Sequence, residues 1–148
     1  MFTTEEQFVI DQATRILDSK IRSSPALTSS NATRTYLRVS MATLEREVFR
    51  VIFLDSQNRV ITVEDLFFGT IDGTSVHPRE VVKAALRHNA AAAILAHNHP
   101  SGMTEPSQAD INITRHLKDV LAMVGVRILD HVVVGIEDDT SMAERGLI

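Results

Sequence analysis

The sequence contains no cysteine. It can therefore form no disulfide, use no thiolate nucleophile and build no cysteine-rich structural zinc site, so any zinc site must use histidine and carboxylate ligands. Long hydrophobic runs are missing as well. The longest ones, Val51–Leu54 and Ala90–Ala96, fall far short of the roughly 18–20 residues that a transmembrane helix needs.

The N-terminus also lacks the features of a secretory signal. Glu5 and Glu6 stand where a signal peptide has a basic stretch followed by an apolar core. We therefore expect a cytoplasmic protein that has no membrane partner.

Basic residues are fewer than acidic ones, 15 against 19. The net charge is −4 and the pI about 5.8, so unaided nonspecific binding to nucleic acid is not favoured, although a local basic patch remains possible. With 148 residues, of which 44% are hydrophobic, the chain is long enough for one ordinary globular domain.

Hydrophobic spacing predicts alternating helices and strands. An N-terminal helix and a second helix ending near Met41 come first. They are followed by two strands, Val48–Leu54 and Val60–Phe68, and by a helix that starts at His77-Pro78. The chain then continues with the strand Ala90–Ala96, a helix from Ser107 and the strand Val126–Gly135. This order predicts an α/β fold with a mixed β-sheet sandwiched by helices.

The run from His97 to Gly102 is the most informative stretch. Residues two apart on a strand point to the same face, so His97 and His99 are expected to present both imidazoles together where the strand ends. Pro100 and Gly102 then turn the chain away.

Asp110 completes a metal-binding pattern. If Ser107 caps the next helix, Asp110 lies in its first turn, and the short intervening loop brings that turn back onto the imidazoles. Two histidines and one carboxylate, with no fourth protein ligand in view, describe the open site that is typical of catalytic zinc. We therefore expect about one zinc ion per chain, bound by His97, His99 and Asp110, where it activates a water molecule for hydrolysis.

Simpler interpretations exist for each part of this pattern. An isolated His-x-His pair is a weak signal, and Ser107 with Asp110 also describes an ordinary helix start, a serine cap followed by an acidic residue. The string His97-Asn98-His99 suggests a nuclease label, but in nucleases of that name the three residues are scattered along the motif, so we interpret the contiguous string as coincidence.

The spacing of these residues resembles a known family. His97-x-His99, seven residues, Ser107, two residues and Asp110 match the signature of JAB/MPN-type (JAMM) metalloproteases. The surrounding text over roughly residues 30 to 148 resembles the RadC-like subfamily, in segments that include Val76–Glu80, Leu95–Gly102, Asp130-His131 and Ala143–Gly146.

The resemblance implies a zinc metallopeptidase or isopeptidase with a cytidine-deaminase-like architecture, acting on a peptide or protein substrate. It also implies that Glu47 is the general base and that Ser107 helps hold the polarised carbonyl oxygen. Glu45, two residues earlier, would share the face of Glu47 if the strand began sooner, so it is the alternative base. His131 is either a buried core residue or a partner of a ligand.

We expect residues 1–30 to form an N-terminal helix and linker, and residues 31–148 to form the RadC-like hydrolase domain. Longer RadC proteins resemble a two-part chain with a helix-hairpin-helix region, for which 30 residues are too few, and this weakens a DNA-repair label.

The rival hypothesis is a DNA-repair or mobile-element binding module, or a phosphodiesterase. The pocket loops Phe68–Val76 and Met103–Pro106, which would select the substrate, carry no readable code, and the oligomeric state stays open.

Overall fold

The computed structural model describes residues 1–23, 30–69 and 76–148. Helices and strands follow one another in the predicted order, with one additional short strand at the end. They are α1 (Thr4–Ser23), α2 (Ser30–Met41), β1 (Val48–Leu54), β2 (Val60–Phe68), α3 (Pro78–Arg87), β3 (Ala92–Asn98), α4 (Gln108–Ala122), β4 (Arg127–Val134) and β5 (Asp139–Ser141).

The strands form one mixed sheet in the order β2-β1-β3-β4-β5. β3 and β4 are parallel and the other neighbouring pairs are antiparallel. The crossover between β3 and β4 is made by α4, as expected for parallel strands, which need a long connection. Because of this crossover, the start of α4 returns to the end of β3.

Helices cover both faces of the sheet. Alternate residues of the central strands, such as Phe49 and Leu95, pack with α3 and α4 on one face. Their neighbours, such as Ile52 and Ile94, pack with α1 and α2 on the other. The predicted α/β sandwich around a mixed sheet is therefore confirmed. β1 and β3 are buried throughout, which explains why they appear as mainly apolar runs, broken by Arg50 in β1, rather than as alternating ones.

The N-terminal helix packs against the rest of the fold. Ile21 of α1 is buried in the same cluster as Tyr36 and Leu37 of α2. The linker that we expected before residue 31 falls largely on residues 24–29, and most of the expected pocket loop Phe68–Val76 falls on residues 70–75; both segments lie outside the described residues. Among the described helices, none has the combination of length and hydrophobicity that spans a bilayer.

Two details differ from the sequence prediction. β3 covers Ala92–Asn98 rather than Ala90–Ala96, because Asn89 takes a positive φ of 53° after α3 and the following residues serve to enter the sheet. His97 therefore belongs to the strand itself. The additional strand, β5, pairs with the end of β4 through Val132–Ser141 and Val134–Asp139.

Candidate metal centre

His97 and His99 lie at the end of β3 on the face that α4 covers. The alternation along the strand puts His97 on the side of Leu95, which belongs to the α3 and α4 cluster. The His97 side chain is completely buried, whereas 15% of the His99 side chain is exposed. The centre is therefore closed on one side and reachable from solvent on the other.

The backbone around His99 fixes the direction of its ring. The His99 N–H donates to the carbonyl of Val134 (2.8 Å), and the Gly102 N–H donates to the carbonyl of His99 (2.9 Å). The His99 Nδ1 lies 2.9 Å from the carbonyl oxygen of Met103. A carbonyl only accepts, so this Nδ1 carries the hydrogen. In the neutral ring the Nε2 then has a lone pair, and this lone pair faces the centre.

Gly135 allows the loop to lie this close to β4. A Cβ on Gly135 would come within 2.5 Å of the Gly102 carbonyl oxygen and 2.7 Å of the Thr104 Cγ2. Any larger residue would push the turn after His99 outwards.

Asp110 reaches the histidines from the first turn of α4. The helix starts with a capping box, in which the Asp110 N–H donates to the Ser107 Oγ (3.0 Å) and the Ser107 N–H donates to the Asp110 Oδ2 (2.8 Å). The expected helix start at Ser107 is confirmed. The same box fixes the carboxylate, so the helix cap and the metal site are one arrangement rather than alternatives.

Three potential ligand atoms converge. The His97 Nε2 and the His99 Nε2 are 2.9 Å apart, and each lies 3.4 Å from the Asp110 Oδ2. A tetrahedral zinc ion with bonds of about 2.0–2.1 Å separates its ligand atoms by roughly 3.3 Å. His97, His99 and Asp110 are thus a group that could hold a metal ion, and their spacing fits one.

Burial and hydrogen bonding shift the pKa values here in different directions. Burial lowers the pKa of His97, and it does so more strongly than Asp110 raises it. The pKa of the more accessible His99 is raised instead, chiefly by its hydrogen bond with Asp110. Burial alone would raise the pKa of Asp110, but the contacts with the two histidines outweigh it and hold that pKa well below its usual range. Asp110 is therefore a carboxylate at neutral pH.

Glu47 lies immediately before β1, beside the centre. In the antiparallel pair of β1 and β3, Phe49 is opposite His97, and the same register continued by two residues puts Glu47 opposite His99. Glu47 is half-buried, and its charge adds to that of Asp110 in raising the pKa of His99. Glu45 is exposed and borders a surface hollow with Gln7 of α1. Of the two glutamates, Glu47 is the one next to the histidines.

A family model agrees with this geometry. The model described as RadC-like JAB domain matches residues 27–147. The chain belongs to this family. The match includes all five residues that the sequence analysis selected, namely Glu47, His97, His99, Ser107 and Asp110.

Curated relatives match nearly the whole of this chain. The chain is 55% identical over 140 residues to a UPF0758 protein of Cellvibrio japonicus, covering 95% of this chain and 62% of that protein. It is 53% identical over 140 residues to a UPF0758 protein of Azotobacter vinelandii, with 95% and 62% covered. A UPF0758 protein of Vibrio atlanticus is 56% identical over 142 residues, with 96% and 63% covered. The chain thus spans a little over three-fifths of the length of these relatives.

Three further side chains lie around the centre of this RadC-like JAB domain. They are His131, for which the sequence left two roles open, and Thr114 and Asn98, for which it indicated none. The His131 Nε2 lies 2.7 Å from the His97 Nδ1, and the Thr114 Oγ1 lies 2.6 Å from the His131 Nδ1. Asn98 is buried and bonds to the backbone on both sides of Glu47. One signal for Thr114 was available, because a residue four positions after Asp110 lies on the same helix face.

Proposed function

We propose that this protein is a zinc-dependent hydrolase that cleaves a peptide or isopeptide bond. The observation that carries the proposal is the convergence of His97, His99 and Asp110 beside a half-buried Glu47. Membership of the RadC-like JAB family supports a hydrolase, and the metal identity and the bond cleaved are our own assignments.

The donor set favours zinc. Two imidazole nitrogens and one carboxylate oxygen are borderline ligands that zinc prefers, and three protein ligands leave a position for a reactant. When bound, the ion supplies a Lewis acid that lowers the pKa of a water molecule towards neutrality.

Glu47 and Ser107 would perform the proton transfer and the orientation of the carbonyl. The Glu47 carboxylate accepts a proton from the attacking water and later returns it to the leaving amine as the C–N bond breaks. The Ser107 Oγ accepts the Asp110 N–H, so its own hydrogen is left to donate to the carbonyl oxygen of the substrate. Ser107 is exposed at the helix start, where a substrate could reach it.

Charge supports a protein substrate over nucleic acid. The net charge is −4, and several arginines are already paired with carboxylates in the described part of the chain, namely Arg34, Arg50, Arg59, Arg87 and Arg145. Proteins that bind DNA backbones need free cationic groups for the phosphates. The DNA-binding rival is therefore the weaker candidate.

The decisive experiment uses the two glutamates as a matched pair. The zinc-loaded protein, Glu47→Gln and Glu45→Gln are each incubated with a bacterial proteome digest and with isopeptide-linked peptides, and new termini are identified by mass spectrometry. Removal of a general base typically slows turnover about 100- to 10,000-fold. We therefore expect new termini with the parent and Glu45→Gln, none above background with Glu47→Gln, and full zinc content in all three.

Two results would count against the proposal. If the parent releases no more termini than Glu47→Gln, peptide hydrolysis is wrong. Binding of duplex DNA that weakens steeply with added salt, together with no hydrolysis, would favour the binding module instead.

A further inference from the structure

A continuous series of short hydrogen bonds runs behind His97. The Thr114 Oγ1 lies 2.6 Å from the carbonyl oxygen of Asp110 and 2.6 Å from the His131 Nδ1. The His131 Nε2 lies 2.7 Å from the His97 Nδ1. The side chains of His97, Thr114 and His131 are fully buried. We call these three side chains, with the Asp110 carbonyl, the hydrogen-bond relay.

Each of these three contacts is short enough to require a hydrogen between its two atoms. The 2.9 Å contact between the His97 Nε2 and the His99 Nε2 is not part of the relay, because both nitrogens face the proposed metal position. The carbonyl of Asp110 only accepts, so the Thr114 hydroxyl must donate to it, and that hydroxyl has no second hydrogen for His131. The hydrogen between Thr114 and His131 therefore belongs to the His131 Nδ1. His131 is completely buried, and its described side-chain contacts are with a histidine and a threonine rather than with a carboxylate. Burial without a carboxylate partner favours the neutral ring, and the Nε2 of that ring is an acceptor. The hydrogen of the last contact must then lie on the His97 Nδ1.

We infer that Thr114 and His131 are positioning residues that hold His97 in the tautomer with its hydrogen on Nδ1, so that Nε2 is free to bind the metal. The inference rests on the metal site of the proposed function. The relay also explains why the rings of His97 and His99 are oriented by different groups. His99 is oriented directly by the carbonyl of Met103, whereas the buried Nδ1 of His97 reaches a carbonyl only through two intermediate side chains.

The relay also joins the two elements that supply the ligands. It starts at His97 on β3, passes through β4 and ends on the backbone of Asp110 in α4. Thr114 lies one helical turn after Asp110, so a change at Thr114 acts on both ligands. Groups that orient a ligand in this way typically contribute about 10- to 100-fold to metal affinity.

The test compares two variants of Thr114 that differ in the hydroxyl. Thr114→Val keeps the shape and removes the hydroxyl, whereas Thr114→Ser keeps it. Zinc affinity, measured by competition with a chromophoric chelator, should fall about 10- to 100-fold in Thr114→Val and recover in Thr114→Ser. Thr33→Val is the matched control, since Thr33 is a buried threonine of α2 on the other face of the sheet, and it should bind zinc like the parent.

A second measurement needs neither a variant nor a metal. Nitrogen-15 NMR of the metal-free parent protein should show His97 with its hydrogen on Nδ1. If the hydrogen is on Nε2, or if Thr114→Val binds zinc as tightly as Thr114→Ser, the inference is wrong. If the parent binds no zinc but His97 has the expected tautomer, the proposed function fails while the relay stands.

Discussion

The side-chain amide of Asn98 holds both peptide groups that flank Glu47. Its Oδ1 accepts the N–H of Val48 (2.8 Å), and its Nδ2 donates to the carbonyl of Arg46 (3.0 Å). Asn98 is the last residue of β3 and is almost completely buried. It therefore fixes the backbone at Glu47 relative to the strand that carries His97.

Asn98→Ala should impair hydrolysis without removing zinc. The buried N–H of Val48 loses its partner, which costs about 1–3 kcal/mol in the free energy of unfolding. A freed Glu47 backbone misplaces the proposed base, and misplacement by about 1 Å can cost roughly 100-fold in rate. Urea denaturation, elemental analysis and cleavage of peptides from the digest measure the three effects.

Asn112→Ala is the control for this variant. Asn112 is exposed on α4 and its side chain accepts only the Gln108 amide among the described contacts, so stability and rate should stay near the parent values. Loss of zinc from Asn98→Ala, rather than loss of rate, would show that Asn98 supports the ligands and not Glu47.

Ser107 has two roles that substitution can separate. Ser107→Ala and Ser107→Gly both remove the hydroxyl, but glycine is a good N-cap residue, so only alanine should cost the full 0.5–2 kcal/mol or so of helix stability. If the hydroxyl orients the substrate carbonyl, both variants should lose about 100- to 1000-fold in turnover. Thermal denaturation and peptide cleavage give the two numbers. Recovery of turnover in Ser107→Gly would leave the cap as the only role.

The parts of the fold that the sequence could predict are those with local causes. β1 and β2 lie where the apolar runs Val48–Leu54 and Val60–Phe68 predicted them. The start of α4 followed from Ser107 and Asp110, because a capping box is a pattern of neighbouring residues. The convergence of Asp110 on His97 and His99 could also be predicted, because the loop between the strand and the helix is short.

The missed features depend on contacts between distant residues. β5 is three residues long and polar, and its place is set by pairing with β4 and by an ion pair between Arg34 and Asp139. The role of His131, which the sequence left open, is decided by its contact with His97, and that contact forms because β3 and β4 are parallel neighbours. Asn98 bonds across to β1, fifty residues earlier in the case of Val48. No periodicity within a segment reports such contacts.

Metal content offers a direct check on the ligand set. We expect about one zinc ion per chain, and loss of it in His97→Ala, His99→Ala and Asp110→Ala, because three ligands leave none to spare. Removal of the metal with a chelator should lower the melting temperature, since a ligand present at about 1,000 times its Kd stabilises the folded state by roughly 4 kcal/mol. Elemental analysis measures the zinc content, and calorimetry measures the melting temperature. His116→Ala, in which an exposed histidine of α4 is removed, should keep its zinc. Full zinc retention by the His97 and His99 variants would contradict the assignment.

The stability of the metal-free protein should be greatest near pH 6.5. Burial lowers the pKa of His97 and holds that of His131 well below its usual value, so both rings take up protons less readily in the folded state than in the unfolded chain. Below about pH 6.5 the two rings are protonated more fully in the unfolded chain than in the folded state. The free energy of unfolding therefore falls with falling pH, by up to about 1.4 kcal/mol per pH unit for each ring. The pKa of His99 is raised, so the folded state binds its proton first, and stability falls as the pH rises above about 6.5.

Urea denaturation of the chelator-treated protein between pH 5 and 8 measures this dependence. In that range the carboxylates with lowered pKa values, Asp55, Glu64, Glu105 and Asp110, stay largely charged in both states, so the histidines dominate. His131→Gln should reduce the loss on the acid side, because it removes one of the two rings that resist protonation. His116→Gln, which changes an exposed ring, should leave the profile unchanged. A stability that stays level or rises from pH 6.5 to pH 5 would mean that His97 and His131 accept protons inside the fold, contrary to their burial between β3, β4 and α4.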